Sequence, residues 1–270
     1  MNELNISFIG GGNMASSIIG GLVDAGLPTE CISVSDPNEA SLENLKALWP
    51  LQTSTRNTDI VTNADVVVLA VKPQILVPVC EGLKDALPEG CLILSIAAGL
   101  SSTTISQALG GKTEIVRCMP NTPALVKQGA SVLFATPAVT DKQKASADQV
   151  LRAVGRVDWI DDETLMDAVT AVSGSGPAYF FLVIEAMIDA GVELGLTREL
   201  ANNLALQTAL GASQLAINSV DDVAELRRKV TSPKGTTEQA IKTFESLGLR
   251  DIFKQAMQAC AARSHELGAN

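Results

Sequence analysis

The chain has 270 residues, of which 46% are apolar and 19% charged, so it can bury a sizeable core and does not have the composition of a disordered protein. Thirty acidic and twenty basic residues give a formal net charge of −10 without a basic cluster, and we expect no nucleic-acid or membrane partner. The longest uninterrupted apolar runs, residues 66–71 and 178–184, are far shorter than the roughly 20 residues of a membrane helix.

Up to about residue 160, short β-branched runs alternate with helical patterns, as is typical of βαβ units around a parallel sheet. The predicted strands are Ile6–Ile9, Ile32–Ser35, Val66–Ala70, Cys91–Ile96, Ile115–Arg117 and Ser131–Phe134, with Leu51–Thr53 as a further candidate. Helices are predicted at Asn13–Ala25, from Pro73, and from Thr140, where Gln143 completes a capping box. This half is predicted to be doubly wound.

After Trp159 the strand patterns stop, and long Ala- and Leu-rich helical patterns follow, beginning near Gly176 and at Thr197. We therefore predict a dinucleotide-binding domain over residues 1–161 and an all-helical domain over residues 162–270. Residues 179–184 are apolar around more than one helical face, which indicates burial deep in the domain or against another subunit.

The first predicted strand runs into a glycine turn and a helix start, with small residues spaced as in G-x-G-x-x-G/A. Gly10 permits the tight turn, Gly12 lets a pyrophosphate approach the backbone, and Ala15 allows close packing of helix and strand. The amides at the helix start then face the phosphates. The predicted dinucleotide contacts here are Ile9, Gly10, Gly11, Gly12, Asn13 and Met14.

Residues after the second and third strands leave the choice between NAD and NADP open. Asp36 lies where an acid bonds the ribose hydroxyl of NAD, although it is equally well placed to cap the helix from Asn38. Ser35, Arg56 and Asn57 instead supply donors for the 2′-phosphate of NADP.

Further cofactor contacts are expected at the carboxyl ends of later strands, where open α/β sheets bind ligands. The small side chains there leave room for a nicotinamide ring, and the Asn121 amide either holds a ligand or caps a turn. The residues in question are Ala70, Val71, Lys72, Pro73, Ala98 and Asn121.

Two segments of the second half are rich in small and hydroxyl side chains. In residues 173–179, Ser175 is the predicted N-cap of the long apolar helix. In residues 230–240, Thr236 and Gln239 fit a capping box, and the loop before them exposes amides suited to a substrate carboxylate. Ser232 and Thr237 add neutral hydroxyl donors.

Six blocks of the chain, in order, resemble the pyrroline-5-carboxylate reductase family. They are residues 8–14, 70–73, 96–99, 119–124, 173–179 and 230–237. The last block usually reads Ser-Pro-Gly-Gly in that family, whereas Lys234 replaces the first glycine here. If that glycine had a positive φ, the replacement affects the fine geometry of the loop.

The resemblance implies a Rossmann-like α/β domain with a doubly wound, mainly parallel sheet, followed by an all-α dimerisation domain. It implies reduction of 1-pyrroline-5-carboxylate to L-proline with NADPH, sometimes NADH, and assembly as homodimers, often five in a ring. It also implies that the Thr237 hydroxyl meets the substrate nitrogen, that amides from Gly235 to Thr237 hold the carboxylate, and that Ser232 and Thr236 line the same site. The whole-chain resemblance, with Ser35, Arg56 and Asn57, favours NADPH.

Two alternatives remain. A β-hydroxyacid dehydrogenase needs a general base, typically a lysine on the first long helix of the helical domain, and residues 178–195 contain none. A non-catalytic nicotinamide-dinucleotide-binding protein would keep the glycine turn without needing a second, hydroxyl-rich site.

The cysteine and histidine content limits the remaining chemistry. A single histidine, His265, makes a His-based triad or His-rich metal site improbable, so no metal is expected. The N-terminal residues lack a basic region followed by an apolar segment, and we predict a cytoplasmic protein. The five cysteines are scattered and are expected to be reduced and mostly buried: Cys31, Cys80, Cys91, Cys118 and Cys260.

Overall fold

A computed structural model describes residues 4–269 of the chain. The chain forms two compact units. The first contains the residues up to Ser175 together with those from Cys260 onward, and the second runs from Gly176 to Ala259. The predicted domain boundary between residues 161 and 162 stays a prediction.

The first unit is built on an eight-stranded sheet of order β3-β2-β1-β4-β5-β6-β7-β8. β7 is antiparallel to β6, and the other neighbouring pairs are parallel. The strand order reverses beside β1, and such a switch point is where open α/β sheets bind ligands. The strands are β1 Ile6–Ile9, β2 Ile32–Ser35, β3 Gln52–Ser54, β4 Val66–Leu69, β5 Leu92–Ser95, β6 Ile115–Met119, β7 Gly129–Ala135 and β8 Gly155–Ile160.

Apolar side chains cover both faces of this sheet because successive residues of a strand point to opposite sides. Val66 and Val68 of β4 pack into one buried cluster, while Val67 and Leu69 pack into another. The helices of this unit are α1 Asn13–Asp24, α2 Glu39–Leu48, α3 Thr58–Val61, α4 Pro73–Leu83, α5 Ser102–Ala108, α6 Asp141–Arg152 and α7 Met166–Val169. The doubly wound, mainly parallel architecture is confirmed.

The second unit is entirely helical. Its helices are α8 Gly176–Glu193, α9 Arg198–Asn218, α10 Val223–Lys229, α11 Thr236–Ser246 and the first part of α12 Leu249–Ala269. Only Gly176, Ala201 and Ala205 are buried between residues 176 and 259, all of which the structure describes. Apolar side chains of α8 and α9, such as Phe180 and Leu204, are exposed instead.

Several local predictions are confirmed and others are wrong. Thr140 and Gln143 form the predicted capping box, and Thr197 caps α9. β8 was not among the predicted strands, although its exposed Arg156 and Asp158 alternate with the buried Val157 at the edge of the sheet. Ser175 is not an N-cap: its amide donates to Thr170 O at 2.8 Å, so the chain stays helical through this point.

One helical stretch, Glu163–Glu193, is long and apolar enough to cross a membrane by length and composition, with a mean hydropathy of 1.4. The apolar runs in the sequence did not indicate it, because the Gly, Ser and Pro residues at 173–177 interrupt the run although the helix continues. One such helix is weak evidence for a membrane span, since an apolar subunit interface has the same composition. The absence of a membrane partner stays a prediction.

Candidate active site

The glycine turn lies between the carboxyl ends of β1 and β4. Gly10 has φ of +104°, and a Cβ on it would lie 2.7 Å from the carbonyl oxygen of Ala70. Its amide donates to Ser35 O at 2.8 Å, and the Ala70 amide donates to Ile9 O at 2.8 Å. The turn therefore packs so tightly against the neighbouring strand end that only glycine fits at position 10.

Gly12 lies in open space by contrast. Its φ of −74° suits any residue, and a Cβ placed there would meet no atom within 4 Å. Gly12 is the N-cap of α1, so the amides of Asn13 and Met14 are among those without an intrahelical acceptor. The open space in front of these amides and the positive end of the helix dipole are suited to a pyrophosphate. The residues present thus fit a dinucleotide.

The Asp36 carboxylate accepts hydrogen bonds from two backbone amides, one in the glycine turn and one two residues after Asp36. One carboxylate oxygen accepts from Gly11 N at 2.8 Å, and the other accepts from Asn38 N at 2.8 Å. Asn38, and not Asp36, caps α2 through a hydrogen bond from Ala40 N. The capping alternative for Asp36 is therefore wrong, and the carboxylate braces the glycine turn.

Polar side chains gather after β2 and β3, next to the glycine turn. The buried Ser35 hydroxyl donates to Asn57 Oδ1 at 2.8 Å. The Arg56 guanidinium lies mostly in solvent and pairs with Asp59, at 2.9 Å from Nη2 to Oδ1 and 3.0 Å from Nε to Oδ2. Ser54 Oγ donates to the same Asp59 at 2.7 Å. These donors lie at adjacent strand ends, where the ribose of a dinucleotide is expected.

The remaining cofactor candidates follow β4, β5 and β6 at the same edge of the sheet. Lys72 is the exposed N-cap of α4 and Pro73 its first residue, directly after Ala70 and Val71. Ala98 is half-buried after β5. These small or half-exposed residues continue the row that starts at the glycine turn.

Asn121 follows β6, and its side-chain amide is engaged by the protein itself. Its oxygen accepts from Ala130 N at 2.8 Å, and its nitrogen donates to Ser173 O at 3.0 Å. A Cβ at the neighbouring Gly174 would lie 2.3 Å from Met119 Cε, so the end of this flexible side chain packs against the glycine. The side chain thus joins distant segments and makes no cap hydrogen bond to the turn that follows it, and its role as a cofactor contact stays a prediction.

The hydroxyl-rich loop of the second unit ends at the start of α11. Lys234 has φ of +61°, in the left-handed region that favours glycine. Its amide donates to Glu238 Oε2 at 2.8 Å, and this hydrogen bond is the main reason why the pKa of Glu238 lies below its usual value. Gly235, and not Thr236, is the N-cap, so the predicted capping box of Thr236 and Gln239 is wrong.

Three hydroxyl groups of this loop remain available, whereas that of Thr231 donates to Arg227 O at 2.6 Å. Ser232, Thr236 and Thr237 are exposed, and their hydroxyls form no hydrogen bond with any residue that the structure describes. Thr236 and Thr237 open α11, and the first amides of a helix have no intrahelical acceptor. Hydroxyls and amides therefore meet at one helix N-terminus, which can hold a carboxylate.

A partly buried ion pair in the first unit was not found from the sequence. Glu163 accepts from Arg117 Nη1 at 2.7 Å and from the amide and hydroxyl of Ser102 at 2.7 and 2.6 Å. Burial opposes ionisation of Glu163, but these hydrogen bonds outweigh it and hold its pKa below the usual value. No local pattern joins these residues, which are 46 and 61 positions apart.

Three of the five thiols are poor nucleophile candidates. Cys80, Cys91 and Cys118 are buried, and burial raises the pKa of Cys80 and Cys91 to about 11. Among residues 4–269, no three His, Cys, Asp or Glu side chains group as they would around a metal ion.

Two family models match parts of this chain. Residues 163–267 match the family model described as pyrroline-5-carboxylate reductase dimerisation, and residues 5–99 match one described as NADP oxidoreductase, coenzyme F420-dependent. The chain is 51% identical over 267 residues to pyrroline-5-carboxylate reductase of Pseudomonas aeruginosa, covering 99% of this chain and 98% of that protein. The chain belongs to the pyrroline-5-carboxylate reductase family.

Solved structures of the family have the same fold. The enzyme of Coxiella burnetii is 46% identical, with a TM-score of 0.94 over 98% of this chain and 99% of that one. The enzyme of Plasmodium falciparum, solved with NADP bound, is 32% identical, with a TM-score of 0.88 over 99% of both chains. The family resemblance read from the six blocks is thus confirmed.

Proposed function

We propose that this protein reduces the cyclic imine of 1-pyrroline-5-carboxylate to L-proline with NADPH, the last step of proline biosynthesis. The observation that carries the proposal is the full-length similarity to reductases of this family. The open glycine turn at the switch point of the sheet supports it, because this is the element that holds a dinucleotide pyrophosphate.

The reaction needs a hydride at the imine carbon and a proton at the nitrogen, so that C=N becomes CH–NH. When bound, the reduced nicotinamide supplies the hydride and leaves as the oxidised dinucleotide. The chain must orient both reactants and supply or relay the proton. We assign the proton-side contact to the exposed Thr237 hydroxyl, the catalytic candidate.

The substrate carboxylate is assigned to the N-terminus of α11. Amides from Gly235 to Thr237 and the hydroxyls of Ser232 and Thr236 are the proposed contacts, since helix N-termini favour anions. Gly235 N already donates to Ser232 O at 3.0 Å, which leaves the amides of Thr236 and Thr237 as the main donors.

We propose a preference for NADPH over NADH. Arg56 is exposed and Asn57 follows it, so a 2′-phosphate would meet a cation and the side-chain nitrogen of Asn57 there, while the buried Ser35 hydroxyl, which donates to Asn57 Oδ1, would orient that amide. Asp36 accepts two backbone amides, which reduces its capacity to accept from a ribose hydroxyl. The other assigned cofactor contacts are Ile9, Gly10, Gly11, Gly12, Asn13, Met14, Ala70, Val71, Lys72, Pro73, Ala98 and Asn121.

We further propose a homodimer formed by the helical unit. Three exposed side chains of α8, Phe180, Phe181 and Leu182, are each about two-thirds accessible, at 64%, 65% and 65%. A unit in which so few residues are buried gains too little from its own core and needs a partner surface. The match of residues 163–267 to a dimerisation model supports this partner being a second copy. A ring of dimers and the cytoplasmic location remain predictions.

The activity is tested by following absorbance of NADPH and NADH with pyrroline-5-carboxylate, with proline identified as the product. A hydroxyacid with the oxidised cofactors is the control for dehydrogenase chemistry. Consumption of NADPH with formation of proline is expected. Oxidation of the hydroxyacid without reduction of the imine would contradict the proposal.

A further inference from the structure

Hydrogen bonds join Ser54, Arg56 and Asp59 in a closed ring at the end of β3. The Arg56 amide donates to Ser54 Oγ at 3.0 Å, Ser54 Oγ donates to Asp59 Oδ2 at 2.7 Å, and Arg56 Nε donates to the same oxygen at 3.0 Å. Arg56 Nη2 lies 2.9 Å from the other oxygen of Asp59. The guanidinium is thus held by a bidentate pair with a carboxylate that is itself anchored.

The two partners differ in exposure, and this decides which of them can be displaced. The Arg56 side chain is 77% accessible, whereas that of Asp59 is 34% accessible and fixed by Ser54. The hydrogen bond from Ser54 is the largest reason why the pKa of Asp59 lies below its usual value, so Asp59 is charged at neutral pH. The exposed cation can swing toward a ligand, while the carboxylate stays in place.

Resting on the proposed function, we infer that Asp59 is a specificity-determining residue that weakens the 2′-phosphate site by holding Arg56 in a neutral pair. A phosphate dianion can bind the guanidinium only by sharing it with Asp59 or by displacing it. A cofactor that lacks the 2′-phosphate does not need the Arg56 guanidinium, so Asp59 does not weaken its binding. Asp59 therefore narrows the difference in affinity between NADPH and NADH.

The test uses Asp59→Asn in the full-length protein, because asparagine keeps an acceptor for Ser54 and removes the charge. Calorimetric titration with adenosine 2′,5′-bisphosphate and with adenosine 5′-monophosphate isolates the 2′-phosphate from the nicotinamide. Removing the paired charge at a partly exposed site should tighten the bisphosphate about 3- to 10-fold. Binding of the monophosphate should change less than about twofold.

Three further variants separate the mechanism from general charge effects. Glu43→Gln removes the carboxylate of another exposed i,i+3 pair, with Lys46, and should leave both affinities unchanged. Asp59→Ser should reproduce the gain with a smaller side chain. In an Arg56→Ala background, Asp59→Asn should change the bisphosphate affinity by less than about twofold, because the guanidinium that Asp59 would hold has been removed.

The possible outcomes divide clearly. An unchanged bisphosphate affinity in Asp59→Asn overturns the inference, and so does a full gain that persists without Arg56, which would mean direct repulsion of the phosphate. Imine reduction by the unaltered protein is measured alongside. If the unaltered protein reduces the imine but Asp59→Asn leaves the bisphosphate affinity unchanged, only this inference is contradicted. If the unaltered protein does not reduce the imine, the proposed function is contradicted, and the affinities for the two nucleotides still test the role of Asp59.

Discussion

Replacing Gly12 with valine should abolish dinucleotide binding without unfolding the protein. The backbone at Gly12 has φ of −74°, and a Cβ there meets nothing within 4 Å, so the fold accommodates a side chain. The same open space is where a pyrophosphate would approach the first amides of α1. A branched side chain would occupy that space and keep the phosphates away.

The size of the effect follows from the lost hydrogen bonds. An amide bonded to a charged oxygen contributes about 1.5–3 kcal/mol, so losing two such contacts should weaken binding by about 10²- to 10⁴-fold. Valine is a poorer N-cap than glycine, which costs about 1 kcal/mol and lowers the melting temperature by a few degrees. The loss of affinity should therefore far exceed the loss of stability.

The assay pairs titration of NADPH with a melting curve on the same preparation. Gly82→Val is the matched control, because Gly82 in α4 also has no atom within 4 Å of an added Cβ, and this variant should bind NADPH normally. Gly10→Ala is the opposite case, since its Cβ would overlap Ala70 O at a positive φ and should destabilise the fold. A folded Gly12→Val protein with undiminished NADPH affinity would refute the reasoning.

Three other changes probe the remaining assignments. Thr237→Ala should lower kcat about 10²-fold with an unchanged melting temperature, because Thr237 is not the cap of α11; an unchanged kcat would contradict its assignment. Lys234→Gly should relieve the positive φ and stabilise the protein by about 1 kcal/mol, and a lower melting temperature would contradict this. Glu163 has a lowered pKa, so its stabilising contribution is complete above the unfolded value of about 4.3 and is lost as the pH falls through the lower folded value. Glu163→Gln should lose stability at neutral pH and show a shallower decline in acid, which pH-dependent denaturant titrations measure; matching profiles would count against the network with Ser102 and Arg117.

Local sequence patterns were sufficient for most of the architecture. The strands from β1 to β7 and the starts of α1, α4, α6 and α9 follow from β-branched runs, glycine turns and capping residues, because each of these signals acts within a few residues of the chain. The spacing of Gly10, Gly12 and Ala15 indicated a dinucleotide turn for the same reason. The six blocks then identified the family.

The sequence left open whether residue 234 has a positive φ. The usual glycine at position 234 is lysine here, and Lys234 does have a positive φ. The loop thus has a left-handed residue that is not glycine, and the hydrogen bond from the Lys234 amide to Glu238 helps to hold this conformation. A backbone angle cannot be read from residue identity alone when a less favoured residue occupies the position.

Only the tertiary structure decided how polar side chains far apart in the chain are used. Asp36 braces Gly11, Asn121 joins Ala130 to Ser173, and Glu163 receives Arg117, and each of these choices depends on which backbone amides and side chains the fold brings within hydrogen-bond distance. The sequence left the roles of Asp36 and Asn121 open and did not indicate the contact between Glu163 and Arg117, because no local pattern selects these partners. Periodicity determines which face of an element is buried, but packing settles the pairing of a buried polar group, because most such groups find a partner among the residues that the fold places around them.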